Sequence, residues 1–230
     1  MDVLSDVQFR DRALYFEDTL VVADLHVGKA ASANVELPVG DGTDMVSRLD
    51  TLCDVFEPAR IVVAGDLLHS FESVPRLVDE TLSSLRQTAR EHGAEIVVVR
   101  GNHDTMLDVV WDGEVTMEYR VGETVVCHGH APPAEHASRY VIGHDHPTIT
   151  IEGQNHPCFL VGEGVYEGRD LFMLPAFNRL VTGVTINEMT ADEFMSPLVT
   201  RVDNLVPVVR DEDDDETLVF PQLGKLREKL

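Results

Sequence analysis

A chain of 230 residues, 43% of them hydrophobic, is long enough to bury a substantial core and too apolar for global disorder. Forty-one acidic against eighteen basic residues leave a formal charge of −23, which argues against tight, non-specific nucleic-acid binding through a basic face. No apolar run reaches the roughly 18 residues of a membrane span, and the opening MDVLSDVQFRDR is acidic and polar, unlike a signal peptide.

Along the chain, VQFR and ALYF predict a hairpin over residues 7–23, followed by a turn at Glu17-Asp18-Thr19 and the strand LVVA. An extended loop containing Pro38 comes next. A helix is predicted from near Thr43, with Val46, Leu49, Leu52 and Phe56 on one face. A second helix follows Ser73, with Pro75 in its first turn, Val74, Leu77, Val78, Leu82 and Leu85 in helical spacing, and an end near Gly93. From residue 115 the pattern changes to short strands: VTMEY, TVVCH, RYVIG, TITI, CFLVG and LFML. These predict a second, mostly β sheet packed on the first. Asp211 to Glu216 read as a self-repelling acidic loop, and TLVFPQLGKLREKL as a returning strand and terminal helix. The expected organisation is a single domain over 1–230, with the acidic loop 211–216 and the segment 217–230 packed on it. The alternation of helical and strand patterns makes the fold class α/β.

Five polar clusters stand at the exits of apolar, β-branched runs. They are Asp24-Leu25-His26, Gly65-Asp66-Leu67-Leu68-His69, Gly101-Asn102-His103-Asp104, His128-Gly129-His130 and Gly143-His144-Asp145-His146. Open α/β sheets place ligands beyond the carboxyl ends of their strands, so five such ends can meet in one crevice. The donors form a mixed N/O set suited to Mn, Fe, Zn or similar divalent ions. Asp24 and His26, two apart, would share one side of an extended segment. Asp66 suits a carboxylate bridging two ions, one oxygen on each. Asn102 offers a neutral amide oxygen and leaves His103 to face the substrate. His128, His144 and His146 complete the nitrogen donors.

In this order the motifs DLH, GDLLH, GNHD, HGH and GHDH resemble those of calcineurin-like metallophosphoesterases, over about residues 20 to 150. The resemblance implies a four-layer α/β/β/α sandwich, two mixed β-sheets flanked by helices. It implies one ion on Asp24, His26, Asp66 and His146, and another on Asp66, Asn102, His128 and His144, with Mn²⁺ as the first candidate and Fe, Zn, Ni or Co open. Two ions about 3.5–4 Å apart lower the pKa of a bridging water and clamp a phosphoryl group. His103 would be the general acid on the leaving oxygen. His69, where phosphatases of this superfamily usually carry Asp, resembles the nuclease and phosphodiesterase branch and implies a helper to His103. DLHVGK with Leu37-Pro38, and LPAFNRLVTGV at 174–184, extend the likeness to small archaeal and DNA-ligase-associated PdeM-type enzymes.

Metal-dependent hydrolysis of a phosphodiester in a nucleotide or nucleic acid is therefore expected. A phosphomonoesterase acting on a nucleotide or small metabolite and a non-catalytic metal-binding scaffold are the alternatives. Arg100, Arg139 and Arg179 are further phosphate-contact candidates that read better, singly, as solvated arginines; Lys29 reads equally as exposed, and His130 equally as a loop histidine hydrogen-bonded to backbone. Asp104 reads as a loop-orienting residue or the cap of the next helix. His92, His136 and His156 read as structural or surface. The odd set Cys53, Cys127 and Cys158 has no metal-type spacing, so reduced thiols, a cytoplasmic location and no membrane partner are expected; protein partners are not written in the motifs. Only three of the basic residues are lysines (Lys29, Lys225, Lys229), and the acids are spread along the chain. Such a surface resembles proteins of salt-loving archaea; an ordinary acidic protein kept soluble by self-repulsion is the alternative.

Overall fold

The computed structural model describes residues 2–29, 41–69 and 76–227. The loop with Leu37-Pro38, and the start of the second helix with Val74 and Pro75, lie outside them. In chain order the first half contains β1 (Gln8–Arg10), β2 (Ala13–Phe16), β3 (Thr19–Val22), α1 (Asp41–Phe56), β4 (Arg60–Ala64), α2 (Arg76–Glu91), β5 (Glu95–Val99), α3 (Leu107–Val110) and β6 (Glu114–Thr116). The second half contains β7 (Glu118–Val121), β8 (Thr124–Cys127), β9 (Arg139–Ile142), β10 (Pro147–Ile151), β11 (Gln154–Pro157), β12 (Phe159–Tyr166), β13 (Arg169–Met173), β14 (Val184–Thr185), β15 (Val206–Asp211), β16 (Glu216–Val219) and α4 (Leu223–Arg227).

β1 to β6 form one sheet in sequence order, antiparallel as far as β3 and parallel from β3 to β6. A seven-stranded sheet follows the order β16-β15-β12-β13-β9-β8-β7, with β8, β9 and β13 parallel. Val21, Val62 and Val97 of the first sheet meet Val126, Val141, Phe159 and Phe172 of the second in a fully apolar interlayer. Each such side chain contributes about 1.5–3 kcal/mol by leaving water. On the outer face of the first sheet lie α1 and α2, packed through Met45, Leu49, Leu52, Val78, Leu82 and Leu85; Leu77 points outward.

The outer face of the second sheet is covered differently. The predicted strand TITI leaves the main sheets and forms β10 of a three-stranded sheet, order β11-β10-β14. Ile149 of β10, Phe194, Leu198, Leu205 and Leu223 of the short α4 cover Val125, Leu160 and Leu171. The fourth layer is thus assembled from short pieces, where the first carries two 16-residue helices. The run VTMEY is likewise not one strand. It breaks at Met117, so that β6 finishes the first sheet beside β5 and β7 opens the second beside β8. A β-propensity pattern has period two but says nothing about which sheet accepts the hydrogen bonds. The acidic loop is not left to repel itself either. Arg210 pairs with Glu212 at 3.0 Å and with Asp215, and Arg10 lies 4.0 Å from both acids.

Candidate active site

β3 and β4 remain paired beyond their ends. Asp24 N–H donates to Gly65 O at 3.1 Å, His26 N–H to Asp66 O at 2.9 Å, and His69 N–H to Val27 O at 3.0 Å. The DLH and GDLLH segments therefore leave the sheet side by side. They do so in an unusual conformation: Asp24, His26, Asp66, His144 and His146 all have positive φ, between 43° and 77°. This corrects the expectation of an extended DLH segment. Asp24 and His26 reach one cluster through left-handed turns, not through strand alternation. Non-glycine residues hold such geometry where the surroundings over-determine it, as happens at functional sites.

Around the first donor group, Asp24 Oδ1 lies 3.2 Å from His146 Nε2, and His146 Nε2 lies 3.4 Å from His26 Nε2. Around the second, His128 Nε2 lies 3.0 Å from Asn102 Oδ1, 3.2 Å from His144 Nδ1 and 3.4 Å from Asp66 Oδ2. Donors bonded to one ion at ~2.0–2.2 Å stand roughly 3–3.6 Å apart around it. Both groups have that spacing, and within each of the triads Asp24-His26-His146 and Asp24-Asp66-His128 the ligand atoms lie within 4.8 Å of one another. Asp24 Oδ1 is buried without a hydrogen bond, an arrangement that a cation beside the carboxylate would relieve. The residues present fit divalent ions.

Asp66 joins the two groups by one atom. Its Oδ2 is 3.8 Å from His26 Nε2 and 3.4 Å from His128 Nε2, while Oδ1 accepts the His103 N–H at 2.9 Å. The backbone of the GNHD turn thus holds Oδ1, and Oδ2 is the oxygen that lies between the two donor groups. Glycines make the approach possible. A Cβ on Gly101 would stand 2.0 Å from Asp66 Oδ1, and one on Gly65 would stand 2.2 Å from His128 Nδ1.

The electrostatics favour positive charge at the centre. Burial works against the His128 cation, but the hydrogen bond to Asp66 and the charges of Asp24 and Asp66 raise it to about 9. Burial likewise opposes the Asp66 carboxylate, yet His128 and the His103 N–H hold it down at about 2. An environment that favours imidazolium at this point favours any cation there. His26 and His144 are lowered to about 4, by burial first and then, for His144, by the His128 charge. Both rings are therefore neutral at pH 7, with lone pairs to offer. His128 Nδ1 donates to Ala64 O at 3.0 Å, which orients Nε2 toward Asn102 and Asp66.

His103 and His69 edge this cluster. His103 Nε2 is 4.0 Å from Asp66 Oδ2, and its ring is partly exposed; the His69 ring stacks at 6.4 Å from it and meets His26 edge-on at 5.8 Å. Burial, Lys29 and His103 lower the His69 pKa, so Lys29 also lies near this edge. His130 is exposed, its ring 5.3 Å from that of His128.

All three arginine candidates contact acids. Arg100 pairs with Asp108, and Arg139 with Asp6 at 2.8 Å at the entry of β9, opposite the site; Arg179 touches Asp11 and Asp44 at 3.3 Å each. His92 binds Asp50 at 2.8 Å, remote from the cluster. Asp104 does not cap α3, whose N-cap is Met106. Buried instead, it accepts Leu68 N–H at 2.9 Å and Gly101 N–H at 2.8 Å, tying the GDLLH and GNHD turns together. Asp145, unassigned from sequence, does the same for GHDH by accepting Met195 N–H at 2.7 Å and Ser196 N–H at 3.1 Å. The only sequence signal for it was an acid flanked by two donor histidines.

The sequence matches the calcineurin-like phosphoesterase family over residues 18–152, more than half of the chain, and the protein belongs to that family. Among solved structures, the Pseudomonas putida nuclease MPE superposes with a TM-score of 0.61 at 25% identity, covering 86% of this chain and 88% of that one. Yfce, a phosphoesterase from E. coli, aligns at 14% identity with a TM-score of 0.44, over 89% and 98% of the two chains. No curated protein matches the sequence significantly. Among the described residues no helix is long and apolar enough to cross a membrane.

Proposed function

We propose that this phosphoesterase hydrolyses phosphodiester bonds of nucleotides or nucleic acid with two divalent ions, Mn²⁺ foremost. The observation that carries the reading is Asp66 Oδ2, 3.8 Å from His26 Nε2 in one donor group and 3.4 Å from His128 Nε2 in the other. Asp24, His26, Asp66 and His146 would hold one ion, and Asp66, Asn102, His128 and His144 the other. When bound, such a pair supplies an acidified water and neutralises the phosphoryl oxygens.

The chain's own residues do the rest. The His103 N–H holds Asp66 in place, and the His103 ring, open to solvent, hands a proton to the departing oxygen. His69, stacked beside it, positions that ring and adds a donor toward a diester oxygen. The 25% identity to a nuclease over most of both chains supports the diester over the monoester. Residues 1–230 would act as one domain. Three buried, unpaired cysteines suit a reducing cytoplasm. The lysine-poor charge of −23 suits a salt-loving archaeon, so structure should be lost in dilute buffer and regained in molar KCl; full stability in dilute buffer removes that reading.

The test of the activity is hydrolysis of bis-p-nitrophenyl phosphate against p-nitrophenyl phosphate, with Mn²⁺ or EDTA, in molar KCl. Mn²⁺-dependent preference for the diester is expected. Preference for the monoester reassigns the protein as a phosphatase, and no turnover despite bound metal reassigns it as a binding protein.

A further inference from the structure

At the same end of the sandwich as the histidine cluster lies a cavity of about 160 Å³ whose walls carry Arg12, Arg179, Arg210, Asp11 and Glu212. Its position follows from the topology. β2 runs antiparallel to β3, so the β1–β2 turn brings Asp11 and Arg12 to the end where β3 releases Asp24. Another wall, at Pro175 and Arg179, belongs to a segment that braces the site itself. Leu174 N–H donates to Ile142 O and Phe177 N–H to Ala23 O, each at 2.8 Å, immediately before GHDH and DLH. Asp11 N–H in turn donates to Glu212 Oε1 at 2.7 Å, closing the side toward β15.

Three guanidinium groups and two carboxylates line the cavity in a chain of net charge −23, and Arg210 is already paired with Glu212 and Asp215. Arg12 and Arg179 are less fully paired. Arg12 donates Nη1 only to carbonyls, Ala176 O at 3.1 Å and Asn178 O at 3.3 Å, and makes no ion pair among the described residues. Arg48, its neighbour, is committed to Asp11 at 2.6 Å and to Phe177 O at 2.7 Å. Arg179 is 52% exposed and makes one long contact with each of two acids. Burial, then the charges of Arg48 and Arg179, lower the Arg12 pKa to about 10 against the opposing charges of Asp11 and Asp44.

We propose that this cavity takes a second phosphate of the substrate, beside the one hydrolysed at the histidine cluster. The substrate class is then a nucleotide chain, or a dinucleotide with a terminal phosphate, and not a diester with a single phosphate. Guanidinium groups suit the role because their fork of donors matches phosphate oxygens two at a time. The inference rests on the phosphodiesterase reading above.

The experiment compares KM for thymidylyl-thymidine with KM for the same dinucleotide carrying a 5′- or a 3′-phosphate, in Mn²⁺ and molar KCl. One phosphorylated form should bind about tenfold or more tightly, the scale of a charge-assisted hydrogen bond. Arg179→Ala, on an exposed side chain, and Arg12→Lys, which keeps the charge in place, should each remove most of that gap. Equal KM values in the parent protein overturn the proposal while leaving phosphodiesterase activity intact. So does a gap that survives both substitutions. Absence of hydrolysis on all three dinucleotides, with none on bis-p-nitrophenyl phosphate, overturns the phosphodiesterase reading as well.

Discussion

The two sheets equip the site unequally. The first supplies both carboxylates, Asp24 and Asp66, from adjacent parallel strands, together with His26 and Asn102; the second supplies only imidazoles, His128, His144 and His146. Each donor group therefore spans the interlayer, with its carboxylates all from the first sheet. The outer covers differ in parallel: two long helices back the acid-bearing sheet, and short segments back the imidazole-bearing one. Besides the apolar interlayer, polar contacts join the sheets at this end: His128 Nδ1 donates to Ala64 O and His144 N–H to Asp24 Oδ2.

Breaking the acid side should have the largest effect. Asp66→Asn should lower the content of both ions, measured by elemental analysis, and reduce turnover by more than about 100-fold; loss of one ion alone would remove Oδ2 as the shared atom. His103→Ala should instead keep both ions and lower turnover by about 10²–10⁴-fold, since only its proton transfer is lost. Unchanged turnover would strike His103 from the mechanism. Gly101→Ala, which puts a Cβ 2.0 Å from Asp66 Oδ1, should displace the carboxylate and weaken both ions together while the core still melts cooperatively.

The smallest and most selective effect is expected on the imidazole side. Asp145→Ala deprives the part-buried Met195 amide and the buried Ser196 amide of their acceptor, at a cost of about 1–3 kcal/mol in thermal unfolding. It should weaken the ion bound through His146 and leave the other. Asp104→Ala, which frees Leu68 and Gly101 amides between two turns of the acid-bearing sheet, is the matched control and should disturb both. Identical outcomes for the pair would mean that the two sheets support the site as one unit.

The seven candidate donors were all legible in the chain because a strand exit and a metal-binding side chain are local features: apolar β-branched runs end at Gly, and Asp, Asn or His follows within a few residues. The helices α1 and α2 and the hairpin of β1 and β2 were equally legible from periodicity and turn residues. What local pattern does not encode is which groups meet. That Asp66 offers one oxygen to both donor groups depends on the His103 amide, 37 residues away, reaching the other oxygen. The left-handed turns at Asp24 and His146, the division of VTMEY between two sheets, and the pairing of the acidic hairpin with Arg10 and Arg210 were decided the same way. Arg12 and Arg179 stand 167 residues apart in sequence and face one cavity only because antiparallel β2 returns the chain to the site. Sequence by itself determined the chemistry carried at each strand end. Tertiary packing decided the partners, because hydrogen bonds and charges act over a few ångströms of space and are indifferent to separation along the chain.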